Sequence, residues 1–288
     1  GTLSVGSFQL GSASAATMNI TGTAVTFTGE NGSLYQPVYG SDDDLVLYLP
    51  FSENLINISN TTYDRSPYGN DGTLSGGMNI GNTTGANGTW TQGKYGYGMD
   101  FNGVGDYVDL GNDASLDIAG SITTEAWIKT SQTGPGAIFS DYTVGKGYVF
   151  GIGHADDNSA SPGLLAFYSS GSGAWEASNS TVNDGQWHHV AAVNTGGTLY
   201  LYIDGVLDDT GSQGSPVSNS GENKYIGKYL SQNYFNGSID EVMLYKRALA
   251  PEEIRTHYLR GKGYGAMGAI TADKFRVVNT SGSKILEV

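Results

Sequence analysis

Leu199-Tyr200-Leu201-Tyr202-Ile203 runs straight into Asp204-Gly205, and this stretch limits the possible folds more than any other. A period of two puts Leu199, Leu201 and Ile203 on one face of a strand and the tyrosines on the other. Asp-Gly suits a two-residue hairpin turn, so the chain returns antiparallel through Val206 and Leu207. A lone hairpin is marginal in water, so other strands must cover its apolar face.

The chain contains such strands. Ile122–Ile128, Tyr148–Ile152, Leu164–Tyr168 and Trp187–Val193 are short apolar runs or alternations separated by turn residues. Leu45-Val46-Leu47-Tyr48-Leu49 is apolar on both faces, which predicts a central strand ended by Pro50. Tyr63 to Leu74 reads as turn chemistry around a second Asp-Gly step, with Asp64 as a turn cap. Tyr225-Ile226 and Gly237-Ser238-Ile239-Asp240-Glu241-Val242 close the set. About ten strands divided by turns predict an all-β fold, a two-sheet antiparallel sandwich. One short C-terminal helix is expected from Pro251 to Leu259, with Pro251 at its first position, Glu252 and Glu253 in its first turn, and Gly261 as its stop.

The sandwich is expected to span residues 42–262. Residues 1–41 read as a β-rich extension or stalk, bounded by the acidic run Asp42-Asp43-Asp44. Residues 263–288 return to a β pattern that breaks off at Val288, which suggests a fragment of a longer protein. The net charge of −14 argues against a nucleic-acid partner or an anionic membrane surface, since both need clustered cations. No apolar run approaches the roughly 18 residues of a membrane span. With no cysteine there is no disulfide framework, thiolate nucleophile or Cys-based metal site. Nine Asn-x-Ser/Thr sequons, at Asn19, Asn31, Asn57, Asn60, Asn82, Asn87, Asn179, Asn236 and Asn279, fit a glycoprotein at a cell or virion surface, or chance in a chain rich in these residues.

Catalytic constellations are missing from the pattern. Glycoside hydrolysis calls for a pair of Asp or Glu residues flanking the scissile bond. Here Glu125 stands alone beside Trp127, and Glu176 alone in a loop. His188 and His189 point to opposite faces of their strand and cannot share a metal, so their role is structural. His154 and His257 lack partners at metal spacing. Trp127 and Trp187 lie in apolar strands and read as core, and Trp90 as packing. Trp175, in Ser172-Gly173-Ala174-Trp175-Glu176-Ala177-Ser178-Asn179, is the aromatic expected to be exposed in a polar hairpin. Tyr142, Tyr168, Tyr229 and Tyr234 either join it as a sugar platform or pack at sheet edges.

Asp240 opens an apolar strand, where an unpaired carboxylate would be expensive to bury. It needs a partner: a metal ion, a salt bridge to Arg65 or Arg247, or backbone N–H groups. Asp106, in a Gly-flanked loop, is open to the same alternatives.

Seven motifs follow one another in an order that resembles the concanavalin A-like, laminin-G-like jelly-roll family. They are Leu47–Phe51, Asp64–Leu74 with Trp90…Gly93…Gly96, Phe101–Leu110, Glu125–Ile128, Asp184–Val190, Tyr202–Gly205 and Gly237–Val242. Together they cover about residues 45–260. The resemblance implies a jelly roll, a calcium ion at the sandwich edge, and a binding role toward glycans or surface glycoproteins. Carried over, Asp240 would ligate calcium through side-chain and main-chain oxygens, and the loop from Gly103 to Asp106 would add others. Ser52 stands where many relatives have an acid and would offer only its carbonyl.

The expectation is therefore a non-catalytic extracellular binding or adhesion module, stabilised by calcium and directed at a glycan or surface glycoprotein. The alternatives are a structural surface component that packs against copies of itself and, more remotely, a polysaccharide hydrolase or lyase.

Overall fold

A computed structural model describes residues 43–51, 60–78, 90–153, 162–230 and 232–263, together with the backbone of strands at 276–278 and 284–287. The chain separates into two compact units, residues 37–265 and the remaining terminal segments. In the terminal unit the described part is a hairpin, Arg276–Val278 against Lys284–Glu287.

In the larger unit the strands in chain order are β1 (Leu45–Leu49), β2 (Thr61–Thr62), β3 (Gly72–Ser75), β4 (Trp90–Gln92), β5 (Tyr97–Asn102), β6 (Tyr107–Asp109), β7 (Ile122–Thr130) and β8 (Gly136–Thr143). They continue as β9 (Lys146–Ile152), β10 (Leu164–Ser169), β11 (Ala174–Thr181), β12 (Trp187–Asn194), β13 (Thr198–Ile203), β14 (Val206–Ser212), β15 (Tyr225–Ile226) and β16 (Asn236–Tyr245). Sheet 1 runs β14-β13-β12-β7-β16-β5-β4, with β1 also on β16; sheet 2 runs β11-β10-β9-β8-β15-β6-β3-β2. All the pairings are antiparallel, as short turns between sequential strands require. The hairpin predicted at Asp204-Gly205 forms, with both residues at positive φ, 52° and 72°.

Period-two alternation builds the core. Leu49, Phe101, Ile128, Val190, Leu201 and Val242 of sheet 1 face Val108, Phe139, Phe150, Leu165, Phe167 and Ile226 of sheet 2. The outer face of sheet 1 is apolar as well. Tyr48, Val193, Tyr202, Met243 and Tyr245 are buried there with Ile254 of the helix α1 (Pro251–Gly263). Glu253 caps that helix by accepting the Ala250 N–H at 2.8 Å, while Arg247 grips the same carboxylate at 2.8 and 2.9 Å. Gly261 does not end the helix, which continues to Gly263. One glycine near a terminus costs only about 1 kcal/mol and does not stop a helix by itself.

β16 holds the sheet together. It pairs with β7 along its length, with β5 over its first half and with β1 over its second. Between Asp240 and Met243 the register slips at a bulge, and Glu241 takes φ 52°.

Candidate binding site

On β10, Phe167 points into the core while Ala166 and Tyr168 point outward, so the outer face of sheet 2 is lined by residues the core does not use. Tyr168 pairs with Trp175 on β11 and with Val149 on β9. Around Val149 and Ala137 four rings form a closed circuit. Tyr142–Tyr168 is 5.3 Å, Tyr168–Trp175 5.4 Å, Trp175–Tyr229 6.3 Å and Tyr229–Tyr142 5.1 Å between centroids. The structure thus brings together four of the five aromatic residues singled out in the sequence. The ring of Tyr234 makes no contact with them among the described residues; its carbonyl accepts from the Gln132 amide at 3.1 Å.

Beside the rings lies a shallow depression, half open to solvent, bordered by Gly136, Ala137, Val149, Gly151, Trp175, Tyr229 and Asn233. Its floor is low because Gly151 packs against backbone: a Cβ there would run into Gly136 and come within 2.9 Å of the Ala137 Cα. The rim is strained. Leu230, exposed and apolar, takes φ 56°, and Asn233 takes φ 58°. A leucine in that region costs about 1–2 kcal/mol. Asn233 donates nothing from its buried Nδ2, although its carbonyl accepts the Ala137 N–H at 3.1 Å.

The sequence placed Asp240, Gly103, Asp106 and Ser52 in one calcium site. Asp240 is fully buried, with Oδ2 accepting the Tyr95 N–H and Oδ1 the Glu241 N–H, each at 2.9 Å. Of the partners considered, it has backbone N–H groups, while Arg247 is taken by Glu253 and Asp44. Gly103 and Asp106 do not join Asp240. The register pairs Asn236 with Asn102 and Ile239 with Met99, so the turn after Asn102 lies four residues, about 13 Å, along the strand from Asp240. There Asp106 Oδ2 accepts the Asn102 N–H at 3.1 Å and its buried Oδ1 has no partner. Ser52 lies outside the described residues.

What the sequence reading missed is that Glu241 is buried beside Asp240, its Oε2 accepting from the Tyr48 hydroxyl at 2.7 Å. Burial, then repulsion from Glu241, pushes Asp240 well above the usual carboxylate range, and burial raises Glu241 to about 7. Both Asp240 oxygens are met by backbone N–H groups, and Glu241 Oε2 by the Tyr48 hydroxyl. Among the described residues no three His, Cys, Asp or Glu side chains converge as a ready metal set.

Glu125 is not alone. It is fully buried under α1, with His257 Nδ1 3.0 Å from Oε1 and His189 Nε2 3.1 Å from Oε2. The His189 contact is ion-pair distance only, because neither ring nitrogen makes a well-aligned hydrogen bond. Burial works against ionisation, yet the two imidazoles hold the Glu125 carboxyl down at about 2. With Glu125 and His189 buried and the His257 side chain only 10% exposed, this is a clasp between sheet and helix. His188 points the other way, bridging Asp204 at 3.0 Å and Asp184 at 3.1 Å, and the Asp204 hydrogen bond chiefly raises its pKa. Trp127 is buried on the outer face of sheet 1, stacked on Tyr258, instead of in the core between the sheets. Trp187 is half-buried at a strand start, and Glu176 sits in β11. His154 lies outside the described residues.

Comparison with known proteins follows this geometry. Among curated proteins the chain is 27% identical over 183 residues to the sushi, von Willebrand factor type A, EGF and pentraxin domain-containing protein 1 of Rattus norvegicus. It is 28% identical over 182 residues to the Mus musculus protein of that name. The aligned parts are 58% and 57% of this chain and 5% of each relative, so the chain spans a small fraction of their length. Domain 4 of AbnA, a GH43 extracellular arabinanase from Geobacillus stearothermophilus solved with arabinotriose, superposes with a TM-score of 0.54 at 22% identity, covering 74% of this chain and 97% of that one. The binding domain of botulinum neurotoxin DC, solved with rat synaptotagmin II, gives a TM-score of 0.57 at 15% identity over 85% of this chain and 56% of that one. At such identities these structures show the fold alone. The family model of the concanavalin A-like lectin/glucanases superfamily matches residues 102–255, from the end of β5 into α1. With more than half of its length so matched, the chain belongs to that superfamily, as a laminin G-type domain.

Proposed function

We propose that this chain is a non-catalytic, extracellular glycan-binding module whose ligand lies across the outer face of sheet 2. The four-ring circuit of Tyr142, Tyr168, Trp175 and Tyr229 carries the reading. Sugar rings stack on aromatic faces left open at a surface. Here the rings meet one another at 49–88° and Tyr229 is buried, so the half-buried Tyr142, Tyr168 and Trp175 would supply the stacking, beside Leu230 and Asn233 at positive φ. The arabinotriose in the AbnA domain and the synaptotagmin on the toxin domain support a binding role, for glycan or for surface glycoprotein. On a glycan array the chain should bind, and Trp175→Ala should weaken binding at least about tenfold, roughly 1.4 kcal/mol, with the melting midpoint little changed. An array without signal, or an unaffected variant, would count against the reading.

Calcium belongs to the same proposal. Asp240 and Glu241 would hold it, the ion offsetting the burial that now disfavours their ionised forms. Without a divalent cation, stability should fall as pH rises. An acid whose folded pKa is raised, here Glu241 to about 7 from 4.5, stabilises fully below 4.5 and loses that contribution as pH passes 7. Calcium should flatten this slope, and at a hundredfold excess over Kd add about 2.7 kcal/mol. Melting curves with calcium and with chelator at pH 5 and pH 8 check this; superimposable curves would remove the ion from the proposal.

Self-assembly is the second reading, favoured by Val206 and Leu207, exposed by 62% and 47% on edge strand β14. A strictly monomeric chain in sedimentation would weigh against it.

A further inference from the structure

Among the described residues, those lining the depression beside the four rings include no Asp, Glu, Lys, Arg or His. The charged groups on the strands around it are turned elsewhere. Asp141, adjacent to Tyr142, is buried on the inward side with Lys224 3.9 Å away. Glu176, adjacent to Trp175, leans on the other sheet, where a Cβ on Gly211 would sit 2.6 Å from its carboxyl carbon. Lys228, adjacent to Tyr229, has its ammonium 3.5 Å from the Tyr107 ring and 3.8 Å from the Tyr225 ring, so two aromatic faces already hold that cation. Lys146 is exposed at the start of β9, outside the lining.

One polar group does face an unmet need. Asn233 Nδ2 is buried at the border of the depression and has no acceptor among the described residues, while the Asn233 carbonyl accepts the Ala137 N–H. A buried donor without a partner costs about 1–3 kcal/mol, which a ligand acceptor would relieve. The left-handed backbone at Asn233 and the Ala137 N–H bonded to its carbonyl fix this amide against β8.

Resting on the glycan-binding reading above, we infer that the ligand is a neutral saccharide chain, whose hydroxyl or ring oxygen accepts from Asn233 Nδ2 while its rings stack on Trp175 and the tyrosines. An acidic chain finds no cation in the lining and approaches a protein of net charge −14. A hydroxyl serves as acceptor without bringing charge into an uncharged depression.

The test uses the 288-residue chain against immobilised neutral polysaccharides (arabinan, galactan, xylan, mixed β-glucan) and acidic ones (polygalacturonate, a sialylated glycan, a sulfated glycan). The variants are Trp175→Ala, Asn233→Ala and Asn233→Asp. The expected result is binding to at least one neutral chain, changed by no more than about twofold between low and high salt. Both Asn233 variants should weaken it about tenfold, the Asp variant more, because a carboxylate replaces the donor with a charge. Because Asn233 sits at positive φ, its Asp variant tolerates the backbone better than Ala, and an unchanged melting midpoint for it separates lost recognition from lost folding. Trp175-dependent binding to acidic chains alone would overturn the ligand class and leave the glycan reading standing. Binding that survives both Asn233 changes would overturn the donor role. Absence of any glycan binding, or a protein ligand that competes at Trp175, would overturn the glycan reading itself.

Discussion

Replacing Glu125 by alanine should cost about 3–5 kcal/mol, the usual penalty for breaking a buried ion pair from one side. In a domain of this size that lowers the melting midpoint by about 10 °C. The residue is the shared acceptor for His257 on α1 and His189 on β12. Removing it leaves two imidazoles in an apolar layer formed by Trp127, Tyr245 and Tyr258, where neither a charge nor an unbonded nitrogen is well solvated. The pH dependence follows from the sign of the shift. Glu125 is held at about 2, below its ordinary 4.5, so its contribution is complete above 4.5 and is lost as pH falls toward 2. That difference corresponds to about 3 kcal/mol. The wild-type midpoint should therefore decline between about pH 5 and pH 2, and Glu125→Ala should lack that part of the decline. Glu125→Gln keeps the shape and some hydrogen bonding, and should fall between the two. Thermal melts across pH check this; an alanine variant as stable as wild type would show that the helix is held by Ile254 and its apolar neighbours alone.

Lys224→Met should have a comparable effect at the opposite sheet. Lys224 is fully buried, donating to Asp117 and, at 2.9 Å, to the Glu222 carbonyl, with Asp141 3.9 Å away. Burial pushes Asp141 up to about 6 even with the lysine present, and one of its oxygens has no partner. Without the cation, Asp141 and Asp117 face each other uncompensated, at a cost of about 3–5 kcal/mol. A carboxyl raised in the folded state stabilises at low pH and loses that contribution as pH climbs, so the variant should suffer more at pH 8 than at pH 5. Adding Asp141→Asn should recover part of the loss. Asp141 precedes Tyr142, so glycan affinity should fall with stability in Lys224→Met and return in the double variant. Additive losses in the double-mutant cycle would mean that the two groups do not interact.

The sandwich was readable because burial on one face of a strand leaves a period of two in the residues, as in Leu199–Ile203 and Leu164–Tyr168. Turn chemistry was equally local, as the positive φ of Asp204 and Gly205 shows. Trp175 and its tyrosines could be named one at a time as aromatics too polar in context for the core, and four of them meet. What failed was whatever depended on which strands become neighbours. Glu125 looked isolated because His257, its nearest partner, is 132 residues away in the chain. Gly103 and Asp106 looked like companions of Asp240, but the register of β5 on β16 carries them apart.

Residue pattern by itself determined the class of fold, the positions of most strands and turns, and the aromatics that the core rejects, because each follows from local backbone geometry and one-sided burial. Only the tertiary structure decided that Glu125 has two histidines, that Asp240 has Glu241 as its buried neighbour, and that four aromatics close around Val149 with an unpaired Asn233 amide at their border. Those facts depend on strand register and on one bulge, and a shift of a single residue would turn each of these side chains to the opposite face.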